Sequence, residues 1–272
     1  TEKRISPSLD LKLGISIASI LLAIVIGSII LAIEGFNPVR VYSVIFGGSF
    51  GSISGLSRTI AKSIPLLLIS LGLSMAFKAK AWNIGAPGQM VVGAISGTGI
   101  GLFLFPHLPA IILIPLMFIS GFIAGAAWAS VCAFLNEKID LNMVISTLLL
   151  NYVAFNLLGY LLYGPWQAGG GFPYTKTFPV AARLPTIPGT DIHYPTLILA
   201  LALAIVLYIV LNKTSLGYEI RVFGENRQAA EYTGIKSSKI ILIVMIISGG
   251  LAGLAGVGEV AGIHHALKQG VT

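Results

Sequence analysis

The sequence predicts an all-α, polytopic membrane protein with about seven transmembrane helices. Three observations carry that class. Only 10% of the 272 residues are charged, against about a quarter in a soluble domain, so water is not the solvent for most of the exterior. Hydrophobic residues make up 56% of the chain and the mean hydropathy is +0.91. Apolar runs near the roughly 20 residues that a spanning helix needs recur along the whole length.

The first run, residues 13–33, holds no charged residue. Its flank of Lys3, Arg4 and Lys12 is like the basic start of a signal peptide. The apolar core is too long for one and no clear small-x-small cleavage site follows, so an anchor is expected. Further runs cover residues 63–77, 88–105, 110–135, 143–163, 195–211 and 240–257. The second is short and the third is rich in glycine. The 32 glycines suit close helix packing in a bilayer. Gly93, Gly97 and Gly101 recur every four residues, as do Gly121 with Gly125 and Gly249 with Gly253. That spacing puts a smooth stripe on each helix where backbones can approach.

Basic residues set the orientation. With the N-terminus in the cytoplasm, the inner segments hold Lys3, Arg4, Lys12, Lys78, Lys80, Lys138, Lys213, Arg221, Arg227, Lys236 and Lys239, eleven in all. The outer segments before the last span hold five: Arg40, Arg58, Lys62, Lys176 and Arg183. The bias favours N-inside, with residues 1–12 cytoplasmic, although Arg58 and Lys62 weaken it. The net charge of +7 is thus a matter of topology, not of nucleic-acid binding.

Two hydrophilic segments interrupt the pattern. Residues 164–194 are external in this scheme and rich in Gly and Pro; they read either as a dock for an outside partner or as a plain connector. Residues 212–238 are internal and mixed in charge, and a short helix is expected within 224–233, which lacks proline.

Enzyme chemistry finds no footing. The chain has no G-x-x-x-x-G-K-S/T loop for ATP phosphates, no HExxH and no G-x-S-x-G. The one cysteine, Cys132, excludes a disulfide within the chain. His264 and His265 are adjacent, so on a helix they point about 100° apart and make a poor chelate. No catalytic or metal residue is expected. Glu259, just past the last run, is the nearest acidic residue to an apolar span. The absence of ionisable groups from the middle of the spans argues against a proton- or sodium-coupled carrier.

Neutral polar residues do occur in the spans. Thr147 and Asn151 share one helix face, and Tyr152 and Asn156 the neighbouring one. They would either line a polar path or bond helix to helix. The segment Trp82-Asn83-Ile84-Gly85-Ala86-Pro87-Gly88-Gln89 breaks the helix with two glycines and a proline. A broken helix inside a membrane exposes backbone groups where a solute can bind, while the plain alternative is a cytoplasmic turn after Lys78 and Lys80. A tentative substrate path therefore comprises Asn83, Gln89, Thr147, Asn151 and Tyr152.

Three stretches carry a family resemblance. Phe77–Gln89 resembles the F-R/K-A-G-x-F/W-N-I-G-A-E-G-Q signature, with Ala81 and Pro87 departing from the commonest residues. Residues 142–152 are similar to N-E-V-I-x-T-x-M/L-L-N-Y, with Met143 in place of the acidic residue. Residues 214–235 are similar to T-x-x-G-x-x-I/L-R-A-x-G-x-N-x-x-A-A-x-x-x-G-I, and echo the wider E-A-A-x-x-x-G motif with Gln228 in the Glu position. On these motifs the chain resembles the permease subunits of ATP-binding-cassette importers for nucleosides and simple sugars. The resemblance covers essentially the whole chain as a single transmembrane permease domain. Such permeases continue past Glu259-Val260-Ala261-Gly262, so it also implies that the chain is the N-terminal portion of a longer one.

The resemblance implies a function: translocation of a nucleoside or simple sugar across the cytoplasmic membrane, with no cofactor in this chain and with ATP and Mg held by a partner ATPase. It implies a coupling helix over residues 224–234, with Gly217, Arg221, Gly224, Asn226, Ala229, Ala230 and Gly234 in the ATPase-coupling loop. It implies a second permease subunit and an external substrate-binding lipoprotein as further partners, and membrane lipid around the spans. The competing classes are a secondary carrier or channel, told apart by whether an ATPase co-purifies, and a membrane enzyme, which would need an acid, base or metal cluster.

Overall fold

The structure is a computed structural model that describes residues 9–270. It divides into two compact units, residues 1–56 and 57–272. Among the described residues seven helices are long and apolar enough to cross a membrane, which places the chain among multi-pass, all-α membrane proteins.

The first unit holds α1 (Leu9–Ile33) and α2 (Pro38–Phe50). Nearly all the large apolar side chains of α1 are exposed around its circumference, the surface that lipid would cover. Pro38 and the Asn37 carboxamide, which accepts from the Arg40 amide at 3.2 Å, start α2. Tyr42 donates back to the Ile24 carbonyl at 3.1 Å. No helix is expected at 38–50 from the hydropathy pattern, because α2 is short and carries Arg40.

The second unit is built around one helix, α10 (Ser237–Glu259), which a π-helical turn extends through Val260–His264. Every residue from Ser248 to Gly262 is buried, so the helix is apolar all round because it is surrounded. Its neighbours are α5 (Ala110–Ile139) and α4 (Ala86–Thr98), the latter ending in its own π-helical turn, Gly99–Leu104. The glycine stripes are where these helices meet. A Cβ on Gly93 would lie 2.3 Å from the Gly253 Cα, and one on Gly125 2.2 Å from the Gly249 carbonyl oxygen. Only hydrogen fits in those contacts.

The remaining helices are α3 (Ile53–Lys78), α6 (Met143–Tyr163) and α7 (Tyr194–Lys213). Helix α3 begins ten residues before the apolar run at 63–77, because Arg58 and Lys62 are carried on the helix and not in a loop. Residues 164–193 do not hang free. The Phe178 and Leu184 amides donate to the His265 and Ala261 carbonyls at 2.8 and 2.9 Å, and Thr175 exchanges bonds with Leu267. This segment therefore sits over the end of α10. At the opposite end, α8 (Ser215–Glu225) and α9 (Arg227–Tyr232) follow α7, and Gly224 presses on the Lys78 carbonyl at the end of α3. The two polar segments thus lie at opposite ends of the helix bundle, as alternating spans require.

Candidate functional site

The break between α3 and α4 is a buried polar turn. Asn83 and Gln89 are each 1% exposed and pair side by side: the Asn83 amide donates to Gln89 Oε1, and the Gln89 amide donates to Asn83 Oδ1, both at 2.9 Å. The Asn83 amide also donates to the Ser248 hydroxyl on α10 at 2.9 Å, and Asn83 Oδ1 accepts from the Gly85 amide at 3.0 Å. Helix α6 supplies the rest. Asn151 Oδ1 accepts from the Gly88 amide at 2.8 Å while its Nδ2 donates to the Ile84 carbonyl at 3.0 Å. Thr147 Oγ1 accepts from the Ile84 amide at 3.3 Å. These side chains satisfy backbone groups that the helix break would leave bare in a low-dielectric interior.

Four of the five tentative path residues, Asn83, Gln89, Thr147 and Asn151, are thus brought together. Tyr152 is not: it is 60% exposed on the outer face of α6, where Asn156 bonds its carbonyl. Ser248 is a member that the sequence reading missed, hidden in a Gly-rich apolar run with no signal of its own.

Beside the turn runs a groove of about 610 Å³, lined by Pro65, Leu66, Ile69, Leu73 and Phe77 of α3, by Pro87 and Met90 of α4, and by Asn83. Lys62 and Glu259, which form an ion pair, also line it. His264 Nε2 lies 3.1 Å from the same Glu259 oxygen. On a regular α-helix residues five apart diverge by about 140°, so the π-helical turn after Glu259 is what stacks His264 over it. Sequence reasoning placed Lys62 in an outer segment and Glu259 just past the last run; the helices extend past those runs and carry both.

At the opposite end of the bundle the segment between α7 and α10 has an inner and an outer half. Gly217 packs on the Val210 and Leu211 carbonyls, Arg221 donates to the Leu211 carbonyl at the end of α7, and Gly224 and Ala230 are buried. Outside, Asn226 caps α9 by accepting from the Ala229 amide at 3.1 Å, and Asn226, Ala229 and Gly234 are exposed. Gly234 adopts φ +85°, which ends α9 at little strain only for glycine. Tyr232 is 93% exposed at the tip. Ser237 and Arg227 bond Glu231 and hold its carboxyl below the ordinary carboxylate range. The short helix expected within 224–233 is α9; α8 is an addition, capped by Thr214 at 3.2 Å to the Gly217 amide.

A sequence profile for the branched-chain amino acid transport system / permease component family matches residues 55–271. The chain belongs to this family. Relatives include a glucose ABC transporter permease protein of Haloferax volcanii, 37% identical over 92% of this chain and 68% of its own length. A nucleoside ABC transporter permease protein of Lactococcus lactis is 29% identical over 90% of the chain and 70% of its length. A guanosine ABC transporter permease protein of Bacillus subtilis is 30% identical over 90% and 71%. No solved structure matches.

Proposed function

We propose that the chain is the translocating subunit of an ATP-driven importer for a nucleoside or simple sugar, with its N-terminus and residues 212–238 in the cytoplasm and residues 164–194 outside. The observation that carries this reading is the hook α8–α9. Its inner half is wedged against α3 and α7, and its outer half stands exposed around Tyr232. That is the form of a handle for a separate motor: an ATPase binding ATP and Mg grips the tip, and the braced half passes the movement to the spans. A second permease subunit and an external binding lipoprotein complete the assembly.

The cargo class rests on the relatives and on chemistry. A groove of about 610 Å³ falls within the range of small-molecule sites. Its Asn83 end carries no charge, which suits a solute without a net charge.

Tyr232→Asp is expected to lower ATP-driven uptake at least about tenfold in proteoliposomes holding the whole importer, because a charge enters the packed centre of an interface. The same variant should insert and run normally on size-exclusion chromatography, since Tyr232 touches little within the chain. Normal uptake by Tyr232→Asp would remove the hook from the motor interface.

A further inference from the structure

The groove beside the polar turn does not stand alone. A second cavity of about 450 Å³ lies at the same end as residues 164–193, lined by Arg58, Lys62, Thr186, Thr190, Asp191 and His265. It carries more charged and polar side chains than the groove does. Lys62 lines both. Its ion-pair partner Glu259 lines the groove alone.

We propose that the Lys62–Glu259 pair is the outer gate of the translocation groove, closed in this structure. The inference rests on the permease reading above and names a residue pair for it. Three features of the pair argue for a switch and not for a structural bond. First, the two partners are unequally placed: the Glu259 side chain is 3% exposed and that of Lys62 57%. The lysine head can leave for water along its own stem, while the carboxylate stays. Second, the site is poorly suited to stability. Glu259 Oε2 is buried without a partner, and a buried acceptor left unmet costs stability. An ionisable residue kept within a span marks a functional position. Third, the backbone around Glu259 departs from the α-helix just there, in the π-helical turn that sets His264 against the same oxygen. When Lys62 leaves, the imidazole still lies 3.1 Å from the carboxylate, so opening does not leave it without a polar neighbour.

The pair spans two elements that the importer cycle would move apart. Lys62 is on α3, whose inner end at Lys78 meets Gly224 of the hook, and Glu259 ends the central helix α10. One helix thus connects handle to gate: a displacement at Gly224 is delivered to α3, and the outer end of α3 carries Lys62.

The test measures reaction of an impermeant maleimide with cysteines in intact cells making the whole importer. Thr186→Cys reports the outer mouth and Ile69→Cys the groove; the chain without either is the background, since Cys132 is buried. Thr186→Cys should react readily and Ile69→Cys slowly. Lys62→Met and Glu259→Gln should each speed Ile69→Cys by about fivefold or more, as breaking the pair shifts the population towards open. The charge-exchanged chain Lys62→Glu/Glu259→Lys should return it to within about twofold of the original rate, and it carries the comparison if a single variant fails to accumulate. Rates at Ile69→Cys that ignore all these changes, with Thr186→Cys still reactive, would overturn the gate and leave the importer reading standing. Reaction at Thr186→Cys only after the membrane is breached would overturn the orientation, and the gate with it.

Discussion

Replacing Gly253 by valine is expected to leave almost no folded protein in the membrane. A Cβ at this position would lie 2.0 Å from the Gly121 carbonyl oxygen, a backbone atom of α5 that cannot rotate away. The opposite side is no freer, because Gly93 of α4 is already against the Gly253 backbone. Central helix α10 is held between the two, so relief at one contact tightens the other. Moving α5 outward would also part Gly125 from Gly249, opening a void along the stripe. Overpacking costs about 1–3 kcal/mol where side chains can yield. Here only backbone can yield, on two faces, and the loss should approach the whole of a net stability of about 5–15 kcal/mol. Size-exclusion profiles of detergent extracts should show the symmetric peak lost for Gly253→Val and kept for Gly159→Val, where an added Cβ meets nothing within 4 Å. A normal peak for Gly253→Val would mean that α10 packs with slack the structure does not contain.

The glycine stripes were legible because a four-residue period of glycine in an apolar run has one physical use, and the structure pairs the very stripes the period marks. Spans were legible for the same reason: hydropathy reports the solvent, and lipid is uniform. The hook was legible through its motif, and its second helix α8 was not, since capping by Thr214 is a local contact that hydropathy ignores. The gate pair was the hardest to see. Lys62 and Glu259 sit one and two residues beyond the apolar runs, so a rule based on continuous apolarity cuts each helix short of its charged end. Nor does one sequence reveal that residues 197 positions apart share a cavity wall. The pattern left open whether Thr147 and Asn151 line a path or bind helix to helix. Their bonds to the turn show helix-to-turn bonding, while the groove beside that turn is lined by Asn83 and by neither of them.

That bonding role fixes the last expectation. Asn151→Leu should remove the acceptor for the Gly88 amide and the donor for the Ile84 carbonyl in one step, at a buried side chain. Each buried group left bare costs about 1–3 kcal/mol, so the turn should loosen before the bundle does. Uptake should fall at least about tenfold while the assembled importer remains, with a lowered thermal midpoint. Thr147→Val removes one longer bond, 3.3 Å to the Ile84 amide, and should do less. Tyr152→Phe, on the exposed face of α6, should leave uptake within about twofold, because surface changes away from packed or polar contacts are usually small. The ordering is what matters, since it separates two mechanisms that a single variant confounds. A turn that must hold its shape predicts loss in proportion to the backbone bonds removed. A path that merely passes along α6 predicts loss in proportion to exposure, with Tyr152→Phe the most harmful of the three. Uptake kinetics on the three variants in one preparation decide between them.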